Sequence, residues 1–94
     1  MPKAVWNNTI LAETDRYEMV EGNVYFPMET INKAYFRPNT MNTYCGWKGT
    51  ASYYDVVVDG QVNESAAWYY PMPKPAAKNI KGHVAFWNGV RVVN

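Results

Sequence analysis

The chain has 94 residues, of which 48% are hydrophobic and 18% charged, and its formal net charge is +1. This composition excludes a disordered chain, and no apolar run approaches the roughly 18 residues that a membrane-spanning helix needs. Lysine and arginine are scattered along the chain, which excludes the basic stripe of a nucleic-acid-binding protein. The length predicts one globular domain over residues 1–94, and self-association is left open.

Two hairpins are predicted in the first third of the chain. Asn7-Asn8 separates two strand-like runs, and asparagine tolerates the positive φ of a two-residue turn. Glu21-Gly22-Asn23 separates the next two strand-like runs. Polar and apolar residues alternate in the first of them, and the second is a short apolar run. The flanking strands are residues 4–6 and 9–12 for the first hairpin and residues 16–20 and 24–26 for the second.

The next segment has the only helical leaning in this half of the chain. Residues 28–33 are too few to form a helix that stands alone, so we expect a single helical turn. Residues 34–37 read as a short strand. Residues 38–43 are polar and read as a connector to the stretch that carries most of the chemistry.

Residues 45–54 combine a thiol, a cation, three aromatic rings and two glycines. Gly46 and Gly49 flank Trp47 and Lys48, and glycine permits backbone conformations and close approaches that other residues do not. The sequence from Thr50 onwards is aromatic and β-branched. We therefore predict an irregular corner that feeds a long strand, with a packed Trp47 beside an exposed Lys48.

The long strand ends at Asp59-Gly60, which is among the strongest short-range hairpin signals. A two-residue turn there pairs Tyr53 with Ala66 in the returning strand. The same register sets Asp55 opposite Glu64, and such a like-charged pair is unfavourable unless it is exposed or shares a cation. A bulge or a longer turn is therefore the alternative register.

The last third begins with three prolines, which predict an extended segment that crosses between sheets. One helical turn is expected over residues 76–80. Asn88-Gly89 then predicts a hairpin between residues 83–87 and 90–93. The chain as a whole predicts an all-β fold of two antiparallel sheets, with about eight short strands and at most one or two helical turns.

Several spaced residues together resemble a known family. The order Thr43-x-Cys45-x-Trp47-Lys48-Gly49-x-Ala51-x-Tyr53-Tyr54 is followed by Ala67-Trp68-x-Tyr70 and by residues 82–86, Gly-His-Val-Ala-Phe. This order is similar to the domain of unknown function 427, and the resemblance covers nearly the whole chain. It implies a β-tent-like fold of two sheets pinched together at one end.

The resemblance implies little about activity. Members of the family are sometimes labelled nucleotidyltransferases, but that reaction needs a metal-bound carboxylate cluster and a phosphate cradle, and neither has a signature here. Tent-like relatives often hold zinc on paired Cys-x-x-Cys motifs, whereas this chain has one cysteine. We therefore expect no metal and no cofactor.

Cys45, Lys48 and His83 are the candidate catalytic residues. Cys45 would act as a nucleophile if Lys48 or His83 lowered its pKa and nearby glycine amides held an oxyanion. The alternative is that Cys45 is a small buried hydrophobe, that Lys48 is a solvated lysine and that His83 is a core-edge residue. Residues 1–4 lack the apolar segment of a secretory signal, so we expect a cytoplasmic, reducing location.

Two function classes follow from these residues, beside a purely structural or interaction role. The first is a binding module in which aromatic side chains wall a pocket for a small flat, cationic or anion-bearing molecule. The second is a small enzyme that uses Cys45 with Lys48 or His83 for group transfer. The candidate ligand-binding residues are Trp47, Gly49, Tyr53, Trp68 and Tyr70.

Overall fold

The computed structural model describes all residues from Met1 to Asn94 and contains nine strands in two antiparallel sheets. This architecture confirms the predicted all-β fold. Helical structure is limited to three short 3₁₀ segments at Met28–Thr30, Lys33–Tyr35 and Pro75–Ile80. The strands are β1 Lys3–Trp6, β2 Thr9–Glu13, β3 Glu18–Val20, β4 Asn23–Pro27, β5 Phe36–Cys45, β6 Gly49–Val58, β7 Gln61–Tyr69, β8 His83–Phe86 and β9 Arg91–Val93.

The smaller sheet has the order β2-β1-β9, and the larger has the order β3-β4-β8-β7-β6-β5. The chain therefore places β8, which comes late in the sequence, between β4 and β7. This insertion joins the β3–β4 hairpin to the three-strand meander of β5, β6 and β7. No helix in the structure has both the length and the apolar character needed to cross a membrane.

Three of the predicted hairpin turns are present. Asn7-Asn8 connects β1 to β2, Glu21-Gly22 connects β3 to β4, and Asp59-Gly60 connects β6 to β7. All three turns contain residues with positive φ, which is the conformation that two-residue hairpin turns require. The corner at residues 46–48 is a tight loop between β5 and β6, because Cys45 pairs directly with Gly49.

The predicted hairpin at Asn88-Gly89 was wrong in its pairing. Both residues have positive φ, as the sequence requires, and the Val90 N–H donates to the Trp87 carbonyl across the turn. The strands on either side diverge, however, since β8 pairs with β4 and β7 whereas β9 pairs with β1. The turn therefore passes the chain from the larger sheet to the smaller one.

The polar connector predicted at residues 38–43 is instead part of β5, the edge strand of the larger sheet. Its side chains are mostly exposed, which explains their polarity. Pro38 pairs opposite Tyr54, and the register shifts between Asn39 and Asn42. A two-residue bulge therefore interrupts this edge strand.

The core has two parts because both faces of the larger sheet are covered. The first cluster packs the smaller sheet against one face and includes Leu11, Phe26 and Val84. The second cluster lies on the opposite face, beneath the Pro75–Ile80 segment, and includes Tyr25 and Ile80. Neighbouring residues such as Tyr25 and Phe26 fall in different clusters, as the alternation of side chains along a strand requires.

Candidate functional site

The candidate site lies beside the second core cluster, on the face of the larger sheet that the smaller sheet leaves uncovered. Register pairs Tyr53 of β6 with Trp68 of β7, and Trp68 with Ala85 of β8. The small Ala85 side chain leaves room for the ring beside it. A cavity of about 200 Å³ opens here, and its lining residues are Lys48, Tyr53, Trp68, Tyr70 and Trp87.

The walls of this aromatic pocket are held by hydrogen bonds as well as by packing. The Trp68 Nε1–H donates to the Tyr25 hydroxyl at 3.1 Å, and the rings of the two residues meet edge to face. The Tyr53 hydroxyl bonds the Thr43 hydroxyl at 2.8 Å. Buried aromatic residues whose polar ends are satisfied hold fixed orientations, so this pocket is largely preformed.

Trp87 forms the outer wall of the pocket. Its ring lies 5.9 Å from Trp68 and 6.4 Å from Tyr53, measured between centroids, and 45% of the residue is exposed. The Trp87 backbone N–H donates to the Ala66 carbonyl, and its indole N–H donates to the Ser65 carbonyl. These two bonds fix a large ring over the mouth of the pocket although the residue itself lies beyond the end of β8.

A bulge in β7 presents the carbonyl groups of Ser65 and Ala66 to Trp87. Val56 pairs with Asn63 and Tyr54 with Ala67, so Asp55 alone faces three residues of β7. Ser65, at the centre of the bulge, has φ 54. The register consequently shifts by two residues, and Tyr53 faces Trp68 rather than the predicted Ala66.

The Asp55 carboxylate accepts hydrogen bonds at this bulge. Its Oδ1 atom accepts hydrogen bonds from the Asn39 side-chain amide and from the Ser65 N–H. The predicted like-charged pairing with Glu64 is therefore wrong, and the bulge alternative is the register observed. No three His, Cys, Asp or Glu side chains form a group that could hold a metal ion.

Lys48 is the charged residue of the pocket, and it is buried, with 7% of the residue exposed. Its ammonium forms an ion pair with Glu21 of the β3–β4 turn. It also lies 5.6 Å from the centroid of the Trp47 ring and 5.5 Å from that of Tyr70. Both rings offer a π face to the cation, which adds to the ion pair.

The ion pair changes the pKa of both partners. Burial works to lower the pKa of Lys48, but the hydrogen bond to Glu21 and the nearby tyrosines outweigh it, so the pKa is raised. The hydrogen bond from Lys48 lowers the pKa of Glu21. Burial raises the pKa of Tyr25 and of Tyr70, against the opposing effect of the Lys48 charge. At neutral pH the pocket therefore holds a charged pair and two neutral phenols.

Residues 2–93 match a family described as Domain of unknown function (DUF427), whose short name is NTP_transf_9. The chain belongs to the DUF427 family. A search of curated proteins found no significant match. The predicted resemblance is therefore confirmed, and the description of the family assigns no activity.

Four of the predicted site residues come together in this DUF427 domain. Lys48, Tyr53, Trp68 and Tyr70 line the aromatic pocket. Trp47 contacts the pocket only through the Lys48 ammonium, and 42% of it is exposed. The expectation of a packed Trp47 beside an exposed Lys48 is therefore reversed.

Gly49 acts through its backbone rather than by lining the pocket. Its φ is +111°, and an added Cβ would lie 3.3 Å from the Met72 carbonyl oxygen. Next to it, the Lys48 carbonyl accepts a hydrogen bond from the Lys74 N–H. Residues 72–74 therefore pack closely onto the backbone of the β5–β6 corner, where the positive φ of Gly49 would strain any other residue.

Cys45 and His83 do not line the pocket of this DUF427 domain. Cys45 is partly buried at the end of β5, packs against the second core cluster and makes no side-chain hydrogen bond. His83 lies opposite Pro27, and its Nδ1 atom lies 2.8 Å from the Lys81 carbonyl oxygen. A carbonyl only accepts, so Nδ1 is the donor in this bond.

Two residues of the site were missed by the sequence interpretation. Trp87 was assigned to the face of a hairpin strand, but it follows β8 and covers the pocket. Glu21 was assigned only to a turn. Its contact with Lys48 spans 27 positions and has no local signal in the sequence.

Proposed function

We propose that this protein binds a small flat molecule in the aromatic pocket. The observation that carries the proposal is the convergence of four aromatic side chains and one buried ammonium on a single cavity of about 200 Å³. Aromatic walls with a small number of polar groups are typical of small-molecule sites. In this site the rings would contact the faces of the ligand, and Lys48 would fix its orientation.

The size of the pocket limits the ligand. An enclosed apolar cavity of about 150 Å³ is large enough for benzene. The cavity of about 200 Å³ therefore suits one six-membered ring with a short substituent. A cationic ligand is disfavoured, because the Lys48 ammonium already occupies the π faces of Trp47 and Tyr70.

Binding has more support than covalent catalysis. The enzyme hypothesis needs Cys45 to meet Lys48 or His83, but Cys45 makes no hydrogen bond to either residue and does not line the pocket. His83 donates to its own turn through Nδ1. Ligand binding therefore accounts for the arrangement of Tyr53, Trp68 and Trp87 with fewer assumptions.

Benzamide, a neutral monocyclic aromatic, is a suitable probe for this proposal. We expect saturation-transfer NMR to detect binding to the wild-type protein, with a Kd on the order of 1 mM for so small a molecule. Trp87→Ala should abolish the signal because it removes the outer wall. Trp47→Ala is the matched control, since Trp47 is similarly exposed but does not line the pocket.

Two results would contradict the proposal. One is the absence of benzamide binding to a wild-type protein with a folded far-ultraviolet spectrum. The other is an equal loss of binding in Trp47→Ala and Trp87→Ala, which would mean that the ring contacts come from the exposed surface of the corner.

A further inference from the structure

Lys48 is the only charged residue that lines the aromatic pocket, and its hydrogen-bonding capacity is not exhausted. An ammonium has three N–H donors. Glu21 accepts from one of them, and the Tyr70 ring centroid lies 5.5 Å from the ammonium nitrogen. At least one donor of a buried cation is therefore left for a group inside the pocket.

The partner of Lys48 is much more exposed than Lys48 itself. The Glu21 side chain is 50% exposed, whereas that of Lys48 is 9% exposed. Glu21 lies on the two-residue turn between β3 and β4, and its carboxylate makes one side-chain hydrogen bond, the one it accepts from Lys48. Glu21 can therefore turn into water when another anion takes its place beside the buried Lys48 ammonium, which itself stays in the pocket.

The charge next to the pocket selects among acceptor groups. A carboxylate forms short, charge-assisted hydrogen bonds with an ammonium, roughly twice as strong as neutral ones. A phosphate would need several donors, but the pocket supplies one cation. A cavity of about 150 Å³ accommodates a benzene ring, so one of about 200 Å³ also has room for a group the size of one carboxylate.

Resting on the proposed function, we propose that the ligand is a monocyclic aromatic carboxylate and that Glu21 competes with it inside the protein. The ring of the ligand lies among Tyr53, Trp68 and Trp87, and its carboxylate accepts from Lys48. Glu21 occupies the same cation in the free protein. The ligand therefore displaces or shares the bond of Glu21, and the charge of Glu21 reduces its affinity.

The test compares benzoate with benzamide, which has nearly the same shape but no charge. Binding of both is measured by NMR titration at low ionic strength for the wild type and for Glu21→Gln, Lys48→Met and Glu64→Gln. Glu64→Gln is the matched control, because it makes the same change of charge on an exposed residue of β7 outside the pocket. Circular dichroism establishes that each variant is folded.

We expect benzoate to bind the wild type at least about fivefold more tightly than benzamide, as a charge-assisted bond implies. Glu21→Gln should tighten benzoate by a further factor of about five relative to benzamide. Lys48→Met should remove the preference for benzoate over benzamide within that variant, and Glu64→Gln should change the affinity of neither compound.

The outcomes separate this inference from the proposed function. If benzamide binds but benzoate is no tighter, or if Glu21→Gln leaves benzoate unchanged, the carboxylate proposal is wrong and the binding function stands. If neither compound binds the folded wild type, the proposed function fails as well. An equal gain in Glu21→Gln and Glu64→Gln would mean that only the overall charge matters, which also overturns the role of Glu21.

Discussion

The Oδ1 atom of Asp55 accepts a hydrogen bond of 2.8 Å from the backbone N–H of Ser65. This bond holds the centre of the β7 bulge, where Ser65 has φ 54. The bulge presents the Ser65 carbonyl to the indole of Trp87 and sets Tyr53 opposite Trp68. One carboxylate in β6 therefore determines the positions of three rings in the pocket.

Asp55→Ala should consequently disturb the pocket as well as the strand. Its loss leaves the Ser65 N–H without an acceptor, which should lower the free energy of unfolding by about 1–3 kcal/mol. Urea denaturation measures this cost, and tryptophan fluorescence reports the displacement of Trp87. Glu64→Ala is the control, and an equal effect in both variants would contradict a specific role for Asp55.

Gly49→Ala should destabilise the protein more than Gly46→Ala. Gly49 has φ +111° and little space before the Met72 carbonyl, whereas an added Cβ at Gly46 meets nothing within 4 Å. The strained backbone at Gly49 should cost about 1–3 kcal/mol, and Gly46→Ala should stay within about 0.5 kcal/mol. Chemical denaturation compares the two, and similar costs would mean that the corner can rearrange.

Removing either partner of the Lys48–Glu21 pair should have unequal effects. Glu21→Ala leaves an ammonium buried without its counterion, whereas Lys48→Met leaves an exposed carboxylate and an apolar chain against two rings. We therefore expect Glu21→Ala to be the more destabilising at neutral pH. Thermal unfolding would show the order of the two variants, and the reverse order would contradict it.

The same pair predicts a dependence on acid. The folded pKa of Glu21 is lowered, so its contribution to stability is present above the unfolded value of 4.5 and is lost as the pH falls through the folded pKa. The difference in stability between the wild type and Glu21→Ala should therefore shrink in acid. Urea midpoints measured across this range provide the check, and a difference that grows in acid would refute the assignment.

Alkaline pH should act through buried tyrosines. Burial raises the pKa of Tyr25, Tyr54 and Tyr70 above the ordinary value of 10.0. Each such group keeps its proton to a higher pH in the folded state than in the unfolded state. Its contribution to the free energy of unfolding is therefore fully present below about pH 10 and is lost as the pH rises through the folded pKa. The ultraviolet absorbance of tyrosinate should titrate in two stages in the native protein and in one after unfolding.

Cys45 should react slowly with an alkylating reagent in the native protein. It is partly buried and packs against the second core cluster. Thiols in such positions react mainly after the chain opens. The alkylation rate of native and unfolded protein across pH tests this, and a faster native rate below pH 7 that Lys48→Met abolishes would favour covalent catalysis instead.

Local turn chemistry made much of the fold predictable. Asn7-Asn8 and Asp59-Gly60 require particular backbone conformations, and those requirements are visible in a few adjacent residues. The partner of a strand across the sheet is not visible in this way. Asn88-Gly89 forms a turn as predicted, but the sequence has no local signal that sends β9 to β1 instead of back to β8.

The site was predictable in its residue types more than in its geometry. Tyr53 and Lys48 were identified because aromatic rings and a cation cluster near glycines in the sequence, and Trp68 because the predicted hairpin at Asp59-Gly60 sets it on the same face as Tyr53. The burial of Lys48 depends on Glu21, which reaches it from a different hairpin. The position of Trp87 depends on a bulge whose residues are far from it in the chain.

Pro38 and the bulge that interrupts β5 also affect the tendency of this protein to aggregate. An edge strand of ten residues offers a row of backbone donors and acceptors on which another strand can assemble into aggregates. Pro38 has no N–H to offer, and the two-residue bulge between Asn39 and Asn42 breaks the row near its middle. The regular parts of β5 on either side of the bulge are too short to template a growing sheet. The edge of the larger sheet beside β6 therefore resists aggregation because it is irregular.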